Sequence, residues 1–276
     1  MAMEKEEAMT TRKPKPPTRH KSMTNEPKDG DTIVVWFSCG AASAVAAKLV
    51  IKCYGHRCKI HVVNNPIKQE DSDNQRFLLD VQDWLDHPIE FAVNPKYPDG
   101  DCEKVWSDKR YMSGTKGAPC TSQLKKVARQ QWEDRNPHDY LVMGFTSEEQ
   151  TRHDNFVKSE RPNLLPMLID AGLTKPDCLQ LIADAGIQIP LMYRLGYPNA
   201  NCSGCVKATS PTYWNHVRKV HPEAFEERSK QSRDIGCRLV RVKGERLFLD
   251  ELDPNAVGAP MKSLKMPDCN VFCEEQ

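Results

Sequence analysis

From Thr32 onward the chain alternates short β-prone apolar runs with longer stretches whose apolar residues recur at helical spacing. Ile33-Val34-Val35-Trp36-Phe37 is the first run. Its unbroken apolar character suits a strand covered on both faces. An alanine-rich helical pattern follows from about 41 to 54. Lys59–Asn64, 89–93 and 139–144 read as three further strands. Between them, 75–85 sets Phe77, Leu78, Val81, Trp84 and Leu85 on one helical stripe, and 120–134 predicts another helix. Strands alternating with helices need crossover connections. The fold class this predicts is α/β, with a doubly wound, mainly parallel sheet and the 33–37 strand near its centre. Ligands of such sheets sit beyond the carboxyl ends of the strands. Ser38–Ser43, Asn64 and the Gly144–Arg152 segment all fall at such ends, which predicts one shared cleft.

The pattern changes in the last third. Thr174-Lys175-Pro176 starts a helix over 175–185, and two short helices follow over 211–220 and 222–232. Residues 238–242 and 246–249 around Lys243-Gly244 read as a β-hairpin. Residues 1–31 are charged, rich in Lys and Pro, and nearly free of large apolar groups, so they read as a disordered tail. The organisation expected is therefore a tail (1–31), a nucleotide-binding α/β domain (32–200) and a small α+β cysteine-containing region (201–276). The formal net charge of +1 gives no strong overall pull toward nucleic acid. No apolar run reaches membrane-spanning length, and 1–31 has no apolar core of a signal peptide. A cytoplasmic protein with no membrane partner is the expectation.

Two features carry chemistry. The first is the turn Ser38-Cys39-Gly40-Ala41-Ala42-Ser43 between strand and helix. Small side chains there let backbone N–H groups approach an anion, and the new helix adds its free N–H groups and positive dipole end. The turn matches neither G-x-x-x-x-G-K-[ST] nor G-x-G-x-x-G. A tight turn kept small for packing is the other reading of the same residues. The second feature is the set of 11 cysteines. An odd count does not suit a pure disulfide framework, so metal, iron–sulfur or redox use is expected of some. Cys202-Ser203-Gly204-Cys205 aims two thiols inward from one turn. Cys120 opens a helix, where a thiol becomes a good ligand. Cys53, Cys58 and Cys178 fall in helical or edge patterns and read as buried or inert.

Taken in order, these residues resemble a known family. Ser38, Gly40 and Ser43 match the PP-loop S-G-G-x-D-S of ATP pyrophosphatases and sulfonucleotide reductases, with Cys39 for the first Gly and Ala42 for the Asp. Assimilatory adenylylsulfate and phosphoadenylylsulfate reductases carry C-C-x-x-R-K and, about eighty residues later, C-x-x-C. Here Cys120 aligns with the second Cys and Pro119 replaces the first; Lys125 and Lys126 stand near the basic pair, and Cys202 comes 82 residues after Cys120. Gly144 to Arg152 resembles G-x-R-x-x-E-S-x-x-R, with Thr146 for the first Arg. Leu165-Pro166-Met167-Leu168 and the stretch through Tyr193 resemble the bridge to the C-x-x-C. Asp268-Cys269 resembles the start of the C-terminal E-C-G-L-H, whose Gly–His is missing.

The resemblance implies an adenine nucleotide or sulfonucleotide bound by Ser38, Cys39, Gly40, Ala41, Ala42 and Ser43, with Asn64, Gly144, Glu149, Arg152 and Lys125 around it. It implies a [4Fe–4S] cluster on Cys120, Cys202 and Cys205, with Cys273 (or Cys269) as the fourth ligand and zinc as the alternative metal. Cys269 would be the nucleophile that attacks sulfur, and a thioredoxin- or glutaredoxin-like protein the reductant. Two other readings stand beside this one. The first is a PP-loop iron–sulfur enzyme that thiolates tRNA or DNA; Arg12-Lys13-Pro14-Lys15 suits its nucleic-acid partner and Ala42 counts against it. The second is a non-catalytic nucleotide-binding module with structural zinc.

Overall fold

The computed structural model describes residues 26–115 and 117–264. Most of the expected tail, together with Cys269 and Cys273, lies outside the described residues. The element order is β1 (Thr32–Phe37), α1 (Ala41–Tyr54), β2 (Lys59–Asn64), α2 (Asp73–Leu85), β3 (Ile89–Phe91) and α3 (Cys102–Lys109). A π-helical segment, Thr121–Val127, then runs into α4 (Ala128–Glu133). Next come β4 (Tyr140–Val142), α5 (Gln150–Ser159), β5 (Leu164–Leu165), α6 (Met167–Asp170), α7 (Lys175–Asp184) and α8 (Leu191–Arg194). The chain continues with α9 (Pro211–Val220), α10 (Pro222–Ile235) and the hairpin β6 (Val240–Val242)–β7 (Glu245–Leu247).

The five-stranded sheet has the order β3-β2-β1-β4-β5, and every pairing in it is parallel. β1 is central, and the order reverses beside it, which opens a crevice at the carboxyl ends of β1 and β4. The alternation of side chains along β1 explains the double winding. Ile33, Val35 and Phe37 pack with α1, α2 and α7 on one face. Val34 and Trp36 pack with Trp132 of α4 and Phe156 of α5 on the other. Both faces are dry, so the strand reads as one apolar run rather than an alternating one.

A third core joins two distant stretches of chain. Ile67, Tyr97, Cys102, Val105, Trp106 and Leu124 pack with Met192, Cys205, Tyr213, Trp214, Phe225 and Leu252. No helix among the described residues is long and apolar enough to cross a membrane.

Candidate functional site

At the end of β1 the chain makes a tight turn fixed by its own hydroxyls. Ser43 Oγ donates to the Gly40 carbonyl at 3.0 Å and accepts from the Ser38 N–H at 3.1 Å. Ser38 Oγ lies 3.0 Å from Ser43 Oγ; since Ser43 has already given its proton to Gly40, Ser38 is the donor. Cys39 takes a left-handed backbone (φ 55°), which non-glycine residues seldom adopt. Its side chain turns inward, away from the crevice, and its burial, followed by the charge of Glu70, pushes its thiol pKa far up. Asn64, at the end of β2, holds the turn from behind by donating to the Phe37 carbonyl at 2.9 Å and to Cys39 Sγ at 3.5 Å. Gly40 begins α1 with no side-chain cap, so the first-turn N–H groups of a 14-residue helix remain for a ligand.

A cavity of about 1180 Å³ lies over this helix start. Ser38, Gly40, Ala42, Ser43 and Gly144 form one wall. Lys125, Glu149 and Arg152 line it as well. Of the expected nucleotide residues, Cys39, Ala41 and Asn64 are not on its surface and stand behind the turn. Gly144 follows β4 and lies against the turn so closely that a Cβ there would fall 2.8 Å from the Ser43 nitrogen. Only glycine lets the two strand ends meet.

Charge is distributed unevenly around this cavity. The Lys125 ammonium pairs with Glu70 at 3.3 Å, both side chains being about nine-tenths buried. Glu149 closes a capping box with Thr146 and binds Arg152 at 2.7 Å, while the Arg152 guanidinium lies 5.2 Å from the Phe145 ring centre. Glu148 accepts from the Lys175 backbone N–H. Glu160, the fourth carboxylate lining the cavity, lies 3.8 Å from the Lys126 ammonium, so each of the four has a protein partner. Tyr193, Asn201, Lys207 and Arg246 also line the cavity, and the Tyr193 hydroxyl lies close to the turn, 3.5 Å from where a Cβ at Gly40 would stand.

The cysteines gather next to this cavity, and one of them was not expected. The Cys102 thiol faces Cys120 and Cys202; these two neighbours, and then burial, push its pKa well up. Cys205 is buried in the same apolar core, with its N–H held by the Tyr213 hydroxyl at 2.8 Å. Asn201, one residue before Cys202, lies on the cavity wall. The donor set fits an iron–sulfur cluster: thiols only, from two helix starts and one turn, in apolar surroundings. Among the described residues, no group of three or more Cys, His, Asp or Glu is already arranged to hold a metal ion.

Cys53 is exposed, while Cys58 and Cys178 are buried away from these groups. Sequence reasoning missed Cys102, Glu70 and Tyr193. Asp101-Cys102-Glu103 has the look of a helix start, and that was the one available signal.

No family model and no curated protein matches this chain. Among solved structures it is similar to the U34-tRNA thiolase NcsA from Methanococcus maripaludis with its [4Fe-4S] cluster. The identity is 11%, over 79% of this chain and 74% of that one, with a TM-score of 0.40. Similarity that remote carries no argument about function, so the reading of the site rests on its own residues.

Proposed function

We propose that this protein is an enzyme of sulfur chemistry: it binds an adenine sulfonucleotide at the Ser38–Ser43 turn and reduces it to sulfite and the nucleotide. The observation that carries this reading is a single cavity lined by the turn, by Lys125 and Arg152, and by Asn201 beside the cysteine group. The uncapped start of α1 receives the phosphates. Arg152 and Lys125 supply positive charge for the sulfate, and the backbone at Gly144 keeps that wall close. Cys120, Cys202 and Cys205 would hold a [4Fe–4S] cluster, which would supply a redox-capable inorganic centre beside the substrate.

The chemistry needs a nucleophile from the chain. Cys269 Sγ, as thiolate, attacks the sulfonyl sulfur; the S–O bond to the phosphate breaks and the nucleotide leaves with that electron pair. A dithiol protein of the thioredoxin or glutaredoxin type then reduces the S-sulfocysteine. Sulfite departs, Cys269 regains its thiol, and the dithiol becomes a disulfide. Buried Cys39 is unsuited to this task, because its raised pKa keeps it protonated. Triphosphate cleavage would call for carboxylates free to hold Mg²⁺. Ala42 stands where the PP-loop pattern has Asp, and the four carboxylates lining the cavity, Glu70, Glu148, Glu149 and Glu160, are engaged.

A second reading is thiolation of a nucleic acid, with a nucleotide activating the site. Its supporting observation is size. The cavity exceeds the usual ligand-pocket range of roughly 300–1,000 Å³, and Lys207 and Arg246 are among its lining residues. One experiment separates the two. Anaerobically purified protein is given adenylylsulfate or phosphoadenylylsulfate with reduced thioredoxin and assayed for sulfite; in parallel it is given ATP, a sulfide donor and tRNA. Sulfite release is expected. Thiolated RNA without sulfite would replace the first reading by the second.

A further inference from the structure

We infer that Cys102 is a ligand of the iron–sulfur centre, completing a four-cysteine set with Cys120, Cys202 and Cys205 without any cysteine of the tail. This inference rests on the iron–sulfur part of the proposed function. Cys102 is only 2% exposed and opens α3. It lies in one buried core with Cys205, with Cys120 and Cys202 packed against that core, and its thiol faces the latter two. Of the five remaining thiols of the described residues, Cys39 lies beside Asn64, Cys58 against the Lys28 carbonyl, Cys53 at the surface and Cys178 in the core beside α1; Cys237 packs against the same core as Cys102, but its thiol donates to the Ser113 carbonyl.

The backbone around Cys102 is held for the purpose. Gln69 is the staple. Its side-chain oxygen accepts the Cys102 N–H at 2.8 Å, and its amide donates to Asp101 Oδ1 at 2.8 Å. Its carbonyl accepts the Ser203 N–H, inside the C-x-x-C turn, at 3.0 Å. One residue thus fixes both the start of α3 and the turn that carries Cys202 and Cys205. From the far side, the buried Arg228 binds Glu103 at 2.8 Å and covers the Trp106 ring at 4.7 Å. It also packs against Gly204, where a Cβ would come 3.2 Å from Arg228 Cγ. A thiol needed only for packing would not require its N–H and the facing turn to share one anchor.

The consequence is chemical. Four thiols give up four protons to the cluster, and every iron then has a protein ligand. No iron is left to bind sulfide or substrate. Sulfur must be handled in the cavity, and the tail cysteines are released from ligation.

The test reconstitutes the full chain anaerobically with ferrous iron and sulfide. Iron and acid-labile sulfide per chain are measured, with the visible band near 400 nm and the EPR of the reduced protein. Cys102→Ser is expected to lose most of the iron or to keep a three-iron species with an altered EPR signal. Truncation after Pro267, which removes Cys269 and Cys273, is expected to keep the wild-type cluster, and Cys178→Ser serves as the neutral control. Should Cys102→Ser fail to fold by circular dichroism, Cys102→Asp, which retains an anionic donor, is expected to keep iron with a changed EPR signal. Wild-type iron and EPR in either Cys102 variant would overturn the inference alone, as would loss of the cluster on truncation. A wild-type chain that takes up no iron would overturn the cluster reading itself, and this ligand assignment with it.

Discussion

Two hydroxyls and one absent Cβ shape the turn at the end of β1. Ser43 takes part in three hydrogen bonds that close it. Ser43→Ala leaves the Ser38 N–H without its partner, a loss of about 1–3 kcal/mol for a group this enclosed. Chemical denaturation should show an unfolding free energy lower by that amount, and calorimetry weaker nucleotide binding. Gly144→Ala works differently. The neighbour that its Cβ meets is backbone nitrogen, which cannot swing aside. We expect at least a tenfold weaker nucleotide, about 1.4 kcal/mol, from a chain that still folds; unchanged affinity would mean that the two strand ends need not touch. At this scale the sequence was informative where chemistry is local. Ser38, Gly40 and Ser43 announce themselves by being small and adjacent. Cys102 does not, because its meaning comes from Gln69, a residue 33 positions away that no spacing rule links to it.

Among the elements, legibility followed length and periodicity. β1, β2, α1 and α2 carry enough apolar residues in register to be read directly, and α7 declares its start by chemistry. Thr174 Oγ1 caps the Asp177 N–H, and the Asp177 carboxylate returns to the Thr174 N–H. The hydrogen bond from Thr174 holds the Asp177 carboxyl below its ordinary range. Thr174→Ala should cost about 0.5–2 kcal/mol in thermal or denaturant unfolding. The loss should shrink as pH falls through the Asp177 pKa, because protonation removes the same bond in the parent. Four helices (α3, α5, α6 and α8) and strand β5 were not predicted, and one predicted helix takes an unexpected winding. β5 is only two residues long, too short for any period, and Leu165 reads equally well as part of a linker. The segment after Cys120 is helical as expected, but it is wound as a π-helix over Thr121–Val127. Such turns cluster at functional sites, and this one carries Lys125 into the wall of the cavity. A helical pattern in the sequence does not distinguish it from an ordinary helix.

For the molecule as a whole, the buried thiols set an upper pH limit. Burial raises the Cys178 thiol from its ordinary 9.0 to about 12, and it pushes Cys39 up as well. Unfolded, these groups ionise near 9; folded, they keep their protons. The unfolded chain therefore binds fewer protons above pH 9, and stability must fall as pH rises from about 9 toward 12. Urea midpoints at pH 8 and 10 should show this fall, and Cys178→Ala should flatten it. The third core makes a separate demand. It joins residues from 67–124 with residues from 192–252, so the cysteine region shares its packing with the middle of the chain. Composition alone marks the change of character near residue 200 but says nothing of that partnership, since contacts of such separation leave no local pattern.

Gln69 carries an implication for how this protein comes into being. Its backbone and side chain hold two segments that are synthesised far apart, one at Cys102 and one at Ser203. While the chain is still growing, the first segment exists without the second. Under the proposed cluster, loading would follow the emergence of the C-x-x-C turn and its docking onto Gln69, with the α/β sheet made first and the far turn next. A ribosome stalled before Cys202 would then yield a chain with its sheet complete and its proposed ligand set unfinished.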